Sequence, residues 1–330
     1  MKVRSLTMIL FTLISGNLPA VAQLPDFYKT VSALVWVVDD LDRAVAGWGK
    51  AGVPLGPPAS LELADSRFRG SPAPVRARLA TAWFGEVQAH FLQPLGGENA
   101  FTEFLARHKG GVFSLMHRAP DPAAIRAEIE RLAALGVGVL QQGTLPLDEG
   151  TFHYVFFDTG REGKYVLGLY AEPGPPSVPD ARGPRITQFA FAVRNPEPVS
   201  RFWAKLGFPE MTYSRPQMSE LVYRGLPGKF DMRLGWQRHG KVPYEWIEPL
   251  AGPSAYHEHL DKHGEGFHHI AFNVEDMDKA IAQWEKSGFP MSMGGAWGEK
   301  GKPGSGRFAY HDTHSAGGTD IELLWNFPKK

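Results

Sequence analysis

The chain has 330 residues, a length that suggests two domains, and at 43% hydrophobic and 12% aromatic it can build a sizeable core. Thirty-five Lys and Arg balance 35 Asp and Glu, so there is no basic excess to neutralise a nucleic-acid backbone, and nucleic acid is excluded as the expected partner. Cysteine is absent, which removes disulfides, thiolate ligands and lipid-anchored cysteines.

The first 22 residues read as a secretory signal. Lys2 and Arg4 supply a basic start, Leu6 to Ile14 a short apolar run, and Ala20-Val21-Ala22 a small-residue cleavage site before Gln23. The run is shorter than the roughly 20 residues that span a bilayer. The expectation is an exported chain without a membrane anchor after cleavage, periplasmic if its source is a Gram-negative bacterium.

Four units follow, each a strand, a helix and further strands. The opening strands are Ser32–Val38, Phe113–Arg118, Thr187–Val193 and His269–Val274. The helices are expected at Leu41–Lys50, Pro122–Leu135, Pro196–Leu206 and Met277–Lys286, with apolar residues at helical spacing such as Ile125, Ile129 and Leu132. Each helix ends in glycine followed by an apolar residue: Gly52-Val53, Gly136-Val137, Gly207-Phe208 and Gly288-Phe289. Glycine at that place supplies the left-handed residue that closes a helix. Between the second and third units, Pro173-Gly174-Pro175-Pro176-Ser177-Val178-Pro179-Asp180 cannot join a helix or a central strand. It marks a linker over 172–184 between domains at 28–171 and 185–327.

Polar residues interrupt strands of the second half at four places: Gln188, Glu245, His269 and Glu322. In Gln188-Phe189-Ala190-Phe191-Ala192, alternation puts Gln188, Ala190 and Ala192 on one face and the aromatics on the other. His269 and Ala271 share a face in the same way, which directs His268 to the opposite one. A carboxylate inside a strand is costly to bury unpaired, and a bound cation removes that cost. Counterparts in the first half are Ala33, His90, Leu115 and Leu167, at offsets of 155, 155, 154 and 155 residues. Only His90 there is a donor, so the first half is expected to be metal-free. His117 would share the face of Leu115, and packing or surface exposure is its expected role.

These residues resemble the vicinal oxygen chelate superfamily, which includes glyoxalase I, methylmalonyl-CoA epimerase, extradiol dioxygenases and bleomycin-resistance proteins. The resemblance rests on Phe267-His268-His269-Ile270-Ala271-Phe272-Asn273-Val274, on Arg307-Phe308-Ala309-Tyr310-His311-Asp312-Thr313 and on Ile321-Glu322-Leu323-Leu324. It implies an α+β fold of tandem βαβββ modules, two domains whose curved mixed sheets enclose a cleft. It also implies one divalent metal ion (Zn, Ni, Mn or Fe) held by Gln188, Glu245, His269 and Glu322, a set similar to the zinc-using type of glyoxalase I. A metal in such a site acts as a Lewis acid, stabilising an enediolate as a proton leaves carbon, with Glu322 or, alternatively, Glu245 moving the proton. The implied activity is a lyase or isomerase acting on a small substrate with vicinal oxygens. Two other readings stay open: a ring-cleaving dioxygenase, favoured by Tyr310 near the site and opposed by Gln188 where that class has histidine, and a non-catalytic small-molecule binder. Monomer and homodimer are both compatible.

Other signals are weaker. His257, Glu258, His259 and His263 lack the HExxH spacing and are expected on the solvated face of a helix. Gly294–Gly306 lacks the phosphate-loop pattern and reads as a mobile loop over the cleft, with Trp297 and Arg307 as substrate contacts.

Overall fold

A computed structural model describes residues 23–175, 179 and 182–327. The expected signal, 1–22, lies outside the described residues, as does part of the Pro-rich linker.

Each half forms one ten-stranded mixed sheet. In the first, strand Ala33–Val37 lies parallel to Val87–Pro94 and antiparallel to Gly111–Arg118, which in turn runs parallel to Val166–Ala171. In the second, Ile186–Ala192 lies parallel to Tyr244–Ala251 and antiparallel to Gly266–Asn273, which runs parallel to Asp320–Asn326. The topology is the same in both, and every strand of a sheet comes from its own half. The four expected helices form at Leu41–Lys50, Pro122–Ala134, Pro196–Lys205 and Met277–Lys286. Asp40, Asp121, Asn195 and Asp276 cap their N-termini by accepting from the first-turn amides. Helices Ala100–His108 and Ala255–Lys262 join the modules within each half.

Strand alternation sorts side chains between two environments. Leu34, Trp36, Phe189 and Phe191 point into one large core to which both halves contribute. Phe84 stacks on Phe272, and Trp48 meets Trp284 edge-on. The opposite sheet faces line two separate clefts, walled by Val35, Phe113 and Phe156 in the first half and by Ile247, Phe308 and Tyr310 in the second.

The halves also exchange hydrogen bonds in pairs. The Trp203 Nε1–H donates to the Gly163 carbonyl at 3.0 Å, and the Trp36 Nε1–H to the Gly317 carbonyl at 2.6 Å. Gly163 and Gly317 correspond in the repeat. A Cβ on Gly163 would stand 2.5 Å from Trp203 Cζ2, and one on Gly317 2.9 Å from Trp36 Nε1, so neither place admits a side chain. His108 Nδ1 meets the His263 carbonyl at 2.9 Å, and His263 Nδ1 meets the His108 carbonyl at 3.1 Å.

One irregularity decides the site. The pairing of Ile186–Ala192 with Gly266–Asn273 slips between Ala190 and Phe191, opposite His269 and Phe267. This bulge leaves His268 as the extra residue, and the first half has the same slip at Phe113.

Candidate metal centre

Gln188, Glu245, His269 and Glu322 come together on the cleft floor from four adjacent strands. Donor atoms of Glu245, His269 and Glu322 lie within 4.8 Å of one another. His269 Nε2 is 3.2 Å from Glu322 Oε2 and 3.9 Å from Glu245 Oε2. The Gln188 amide donates to Glu245 Oε2. All four residues are buried, with His269 fully so. Burial pushes the Glu245 carboxyl well above the usual range, and the neighbouring Glu322 charge pushes it further. Two acidic side chains and an imidazole aimed at one point could hold a divalent ion with positions left open. The cleft above has a volume of about 320 Å³ and is walled by Trp236, Trp297, Phe308 and Tyr310.

Other expected site residues divide. Trp297 lines the cleft, and Tyr310 lies with its ring centroid 4.8 Å from that of His269. Arg307 does not: Phe308 and Tyr310 face the cleft, so Arg307 points away and bonds Asp278 at 2.8 Å on the outer surface. Residues 291–297 and 306–311 are strands, which shortens the expected loop to 298–305.

His268 does not point away from His269 as alternation implied. The bulge turns it to the same side, with Nδ1 2.9 Å from His269 Nδ1. Its ring packs against Tyr256 and His259, and the Tyr256 hydroxyl donates to that of Tyr310 at 3.0 Å. Tyr310 is an expected neighbour of the site, whereas Tyr256 is not legible in the sequence read as one chain, and His259 and His268 face the opposite way from the sequence expectation. A signal existed: at the repeat offset, Tyr256, His259, His268 and Tyr310 replace Phe101, Phe104, Phe113 and Phe156. The ring geometry is kept, with centroids 5.3 Å apart for Phe101–Phe113 and 5.2 Å for Tyr256–His268.

Strand pairing corrects the first-half counterparts. Ala33 pairs with Met116 as Gln188 pairs with Ala271, which makes Ser114 the counterpart of His269. Gly168 pairs with Met116 and Phe156 as Glu322 pairs with Ala271 and Tyr310, which makes Gly168 the counterpart of Glu322. Leu115 and Leu167 sit one residue away and face the shared core. His117 faces it too, edge-on to Tyr28 and bonded through Nδ1 to the Thr30 carbonyl at 2.8 Å. Ala33 and His90 stay in the first cleft, where burial lowers the His90 pKa to about 4. On helix Ala255–Lys262, His259 is buried rather than solvated, while Glu258 pairs with Arg224 at 2.7 Å.

The family model described as the glyoxalase/bleomycin resistance protein/dioxygenase superfamily matches residues 187–310. No curated protein matches the chain. Among solved structures, a triple mutant of 4-hydroxymandelate synthase from Streptomyces coelicolor is similar over 92% of this chain and 94% of that one, at 16% identity and a TM-score of 0.60. A Mn(II)-bound glyoxalase from Novosphingobium aromaticivorans is similar over 91% and 83%, at 14% identity and a TM-score of 0.48. The first likeness is one of two-domain fold, and at this identity of fold alone. The second half of the chain is therefore similar to the glyoxalase/bleomycin resistance protein/dioxygenase superfamily, the vicinal oxygen chelate group, and the first half repeats the same topology.

Proposed function

We propose that the second-half cleft is a metal-dependent lyase or isomerase site acting on a small substrate with two adjacent oxygens. The observation that carries this reading is the donor set: Gln188, Glu245, His269 and Glu322, with two carboxylates rather than two histidines. Gln188, Glu245, His269 and Glu322 would hold one divalent ion, which when bound supplies Lewis acidity to substrate oxygens. Glu245 is tied by the Gln188 amide and serves as a fixed ligand. Glu322, whose carboxylate is bonded only to His269, takes the proton from substrate carbon and returns it. Such proton transfer contributes roughly 10²–10⁴-fold in rate. Trp236, Trp297 and Phe308 exclude water and favour a substrate with an apolar or aromatic substituent.

The test is turnover of α-hydroxycarbonyl and 1,2-dicarbonyl compounds in D₂O under argon. The reading requires deuterium at a substrate carbon and no need for oxygen. Consumption of O₂ with a catechol, dependent on Fe(II), would replace it with ring cleavage. Export is proposed alongside: the mature chain should begin at Gln23, which intact mass of the secreted protein checks.

A further inference from the structure

Beyond His268 lies a second group of donors. Asp312, His314 and Asp320 each offer an atom within 4.8 Å of the other two. His314 Nε2 is 3.4 Å from Asp320 Oδ1. Asp320 is 5% exposed, and its Oδ1 takes part in no hydrogen bond. His268, fully buried, directs an unpartnered Nε2 at Asp320 Oδ2 from 3.6 Å. His263 stacks on His314, with centroids 4.9 Å apart and rings 13° from parallel. The group opens into a cavity of about 300 Å³ that also includes Arg224 and Lys262.

The fold does not need these polar atoms. In the first half Gly160, Val166 and Phe113 stand where His314, Asp320 and His268 stand in the second. The alignment is fixed by Thr159 and Thr313, whose hydroxyls donate to the equivalent carbonyls of Tyr165 and Thr319. The first half keeps a carboxylate only at Asp158, the counterpart of Asp312, and has Val166 at the place of Asp320, so the second half carries the buried Asp320 carboxylate at a cost the architecture does not impose.

We propose that Asp312, His314 and Asp320 form a second divalent-cation site, separate from the cleft and open to the cavity between the halves. Two carboxylates and one neutral imidazole suit zinc or a similar borderline ion, with remaining positions left to water. Arg224 Nη1 lies 3.4 Å from Asp312, and Lys262 faces the same cavity. Their charge makes this the weaker of the two sites.

The experiment is calorimetric titration of chelator-stripped, full-length mature protein with Zn(II), with bound zinc counted by elemental analysis after desalting. Two ions per chain are expected, falling to one in His314→Ala and in Asp320→Asn, to one in Glu322→Ala, and to none in His314→Ala/Glu322→Ala. His314 is part-exposed on a short turn, and circular dichroism checks that the variants fold. If His314→Ala does not fold, Asp312→Asn decides. Two ions retained in both His314→Ala and Asp320→Asn overturn the proposal. So does a single wild-type ion that Glu322→Ala abolishes and His314→Ala keeps. A single ion that survives Glu322→Ala and disappears in His314→Ala upholds this site and overturns the cleft assignment instead.

Discussion

The two clefts share strand order, a bulge and a four-ring aromatic cluster, yet one is floored by Gln188, Glu245, His269 and Glu322 and the other by Ala33, His90, Ser114 and Gly168. The first cleft, about 250 Å³, is lined by Leu61, Leu79, Phe152 and Tyr170 and is mainly apolar. The difference teaches that the curled sheet does not depend on its inner polar residues. Its stability comes from the opposite face, where each fully buried aromatic contributes about 1.5–3 kcal/mol. The cleft floor is therefore free to carry a cluster of polar donors in one copy and lack it in the other.

The largest expected effect breaks the contrast at the floor. Glu322→Ala and His269→Ala should weaken divalent-ion binding by more than the roughly 10–100-fold that loss of an outer partner costs, while His90→Ala should leave it unchanged. Calorimetry on the stripped protein decides, and equal affinity in all three variants would remove the site assignment. Next, His268→Phe makes the second ring cluster resemble the first. Because Phe113 already fits that geometry, stability should change by less than about 1.5 kcal/mol, while affinity at the cleft falls roughly 10–100-fold as His269 loses its partner. Chemical denaturation and calorimetry together separate the two outcomes. In the other direction, Gly168→Glu should fail to create a ligand. A Cβ there would lie 2.7 Å from Ser114 Oγ and 2.9 Å from Met116 Cγ, so the variant should lose about 1–3 kcal/mol in denaturation and bind no additional metal.

The smallest effect concerns pH. In the cation-free chain the folded-state pKa of Glu245 is raised, so its ionisation opposes folding. The group favours the fold below the ordinary Glu range of about 4.5 and loses that advantage as pH rises toward its folded value. Glu245→Gln has nothing to ionise. Its thermal midpoint relative to stripped wild type should therefore climb as pH rises above the ordinary Glu range, and a flat difference would contradict the burial argument.

Much of this comparison is readable from residues. The four helices, their closing glycines and the four donors follow from periodicity and spacing, because each is a local pattern. What alternation misjudged traces to a single bulge. One extra residue turns His268 toward the side of His269, whereas Leu115 and Leu167 differ from Ser114 and Gly168 through one residue of repeat offset, the strand pairing giving offsets of 155 residues from Ser114 to His269 and 154 from Gly168 to Glu322. Arg307 failed differently: its own alternation with Phe308 and Tyr310 pointed it outward, but proximity to a glycine-rich stretch suggested a cleft role. His259 was read as solvated because a helix alone does not reveal that its polar face packs on a neighbouring strand.

The reciprocal bonds of Trp203 to Gly163 and Trp36 to Gly317 have a consequence for how the chain comes apart. Each half leaves a tryptophan donor without a partner unless the other half is in place, and the largest core is common to both. Unfolding should then be one cooperative event rather than two. Free energy gained by an ion in the second cleft would protect amides of the first half from hydrogen exchange, although no ligand touches them. The first half would in this sense report occupancy at a distance, and cutting the chain in the linker would cost both halves their shared transition.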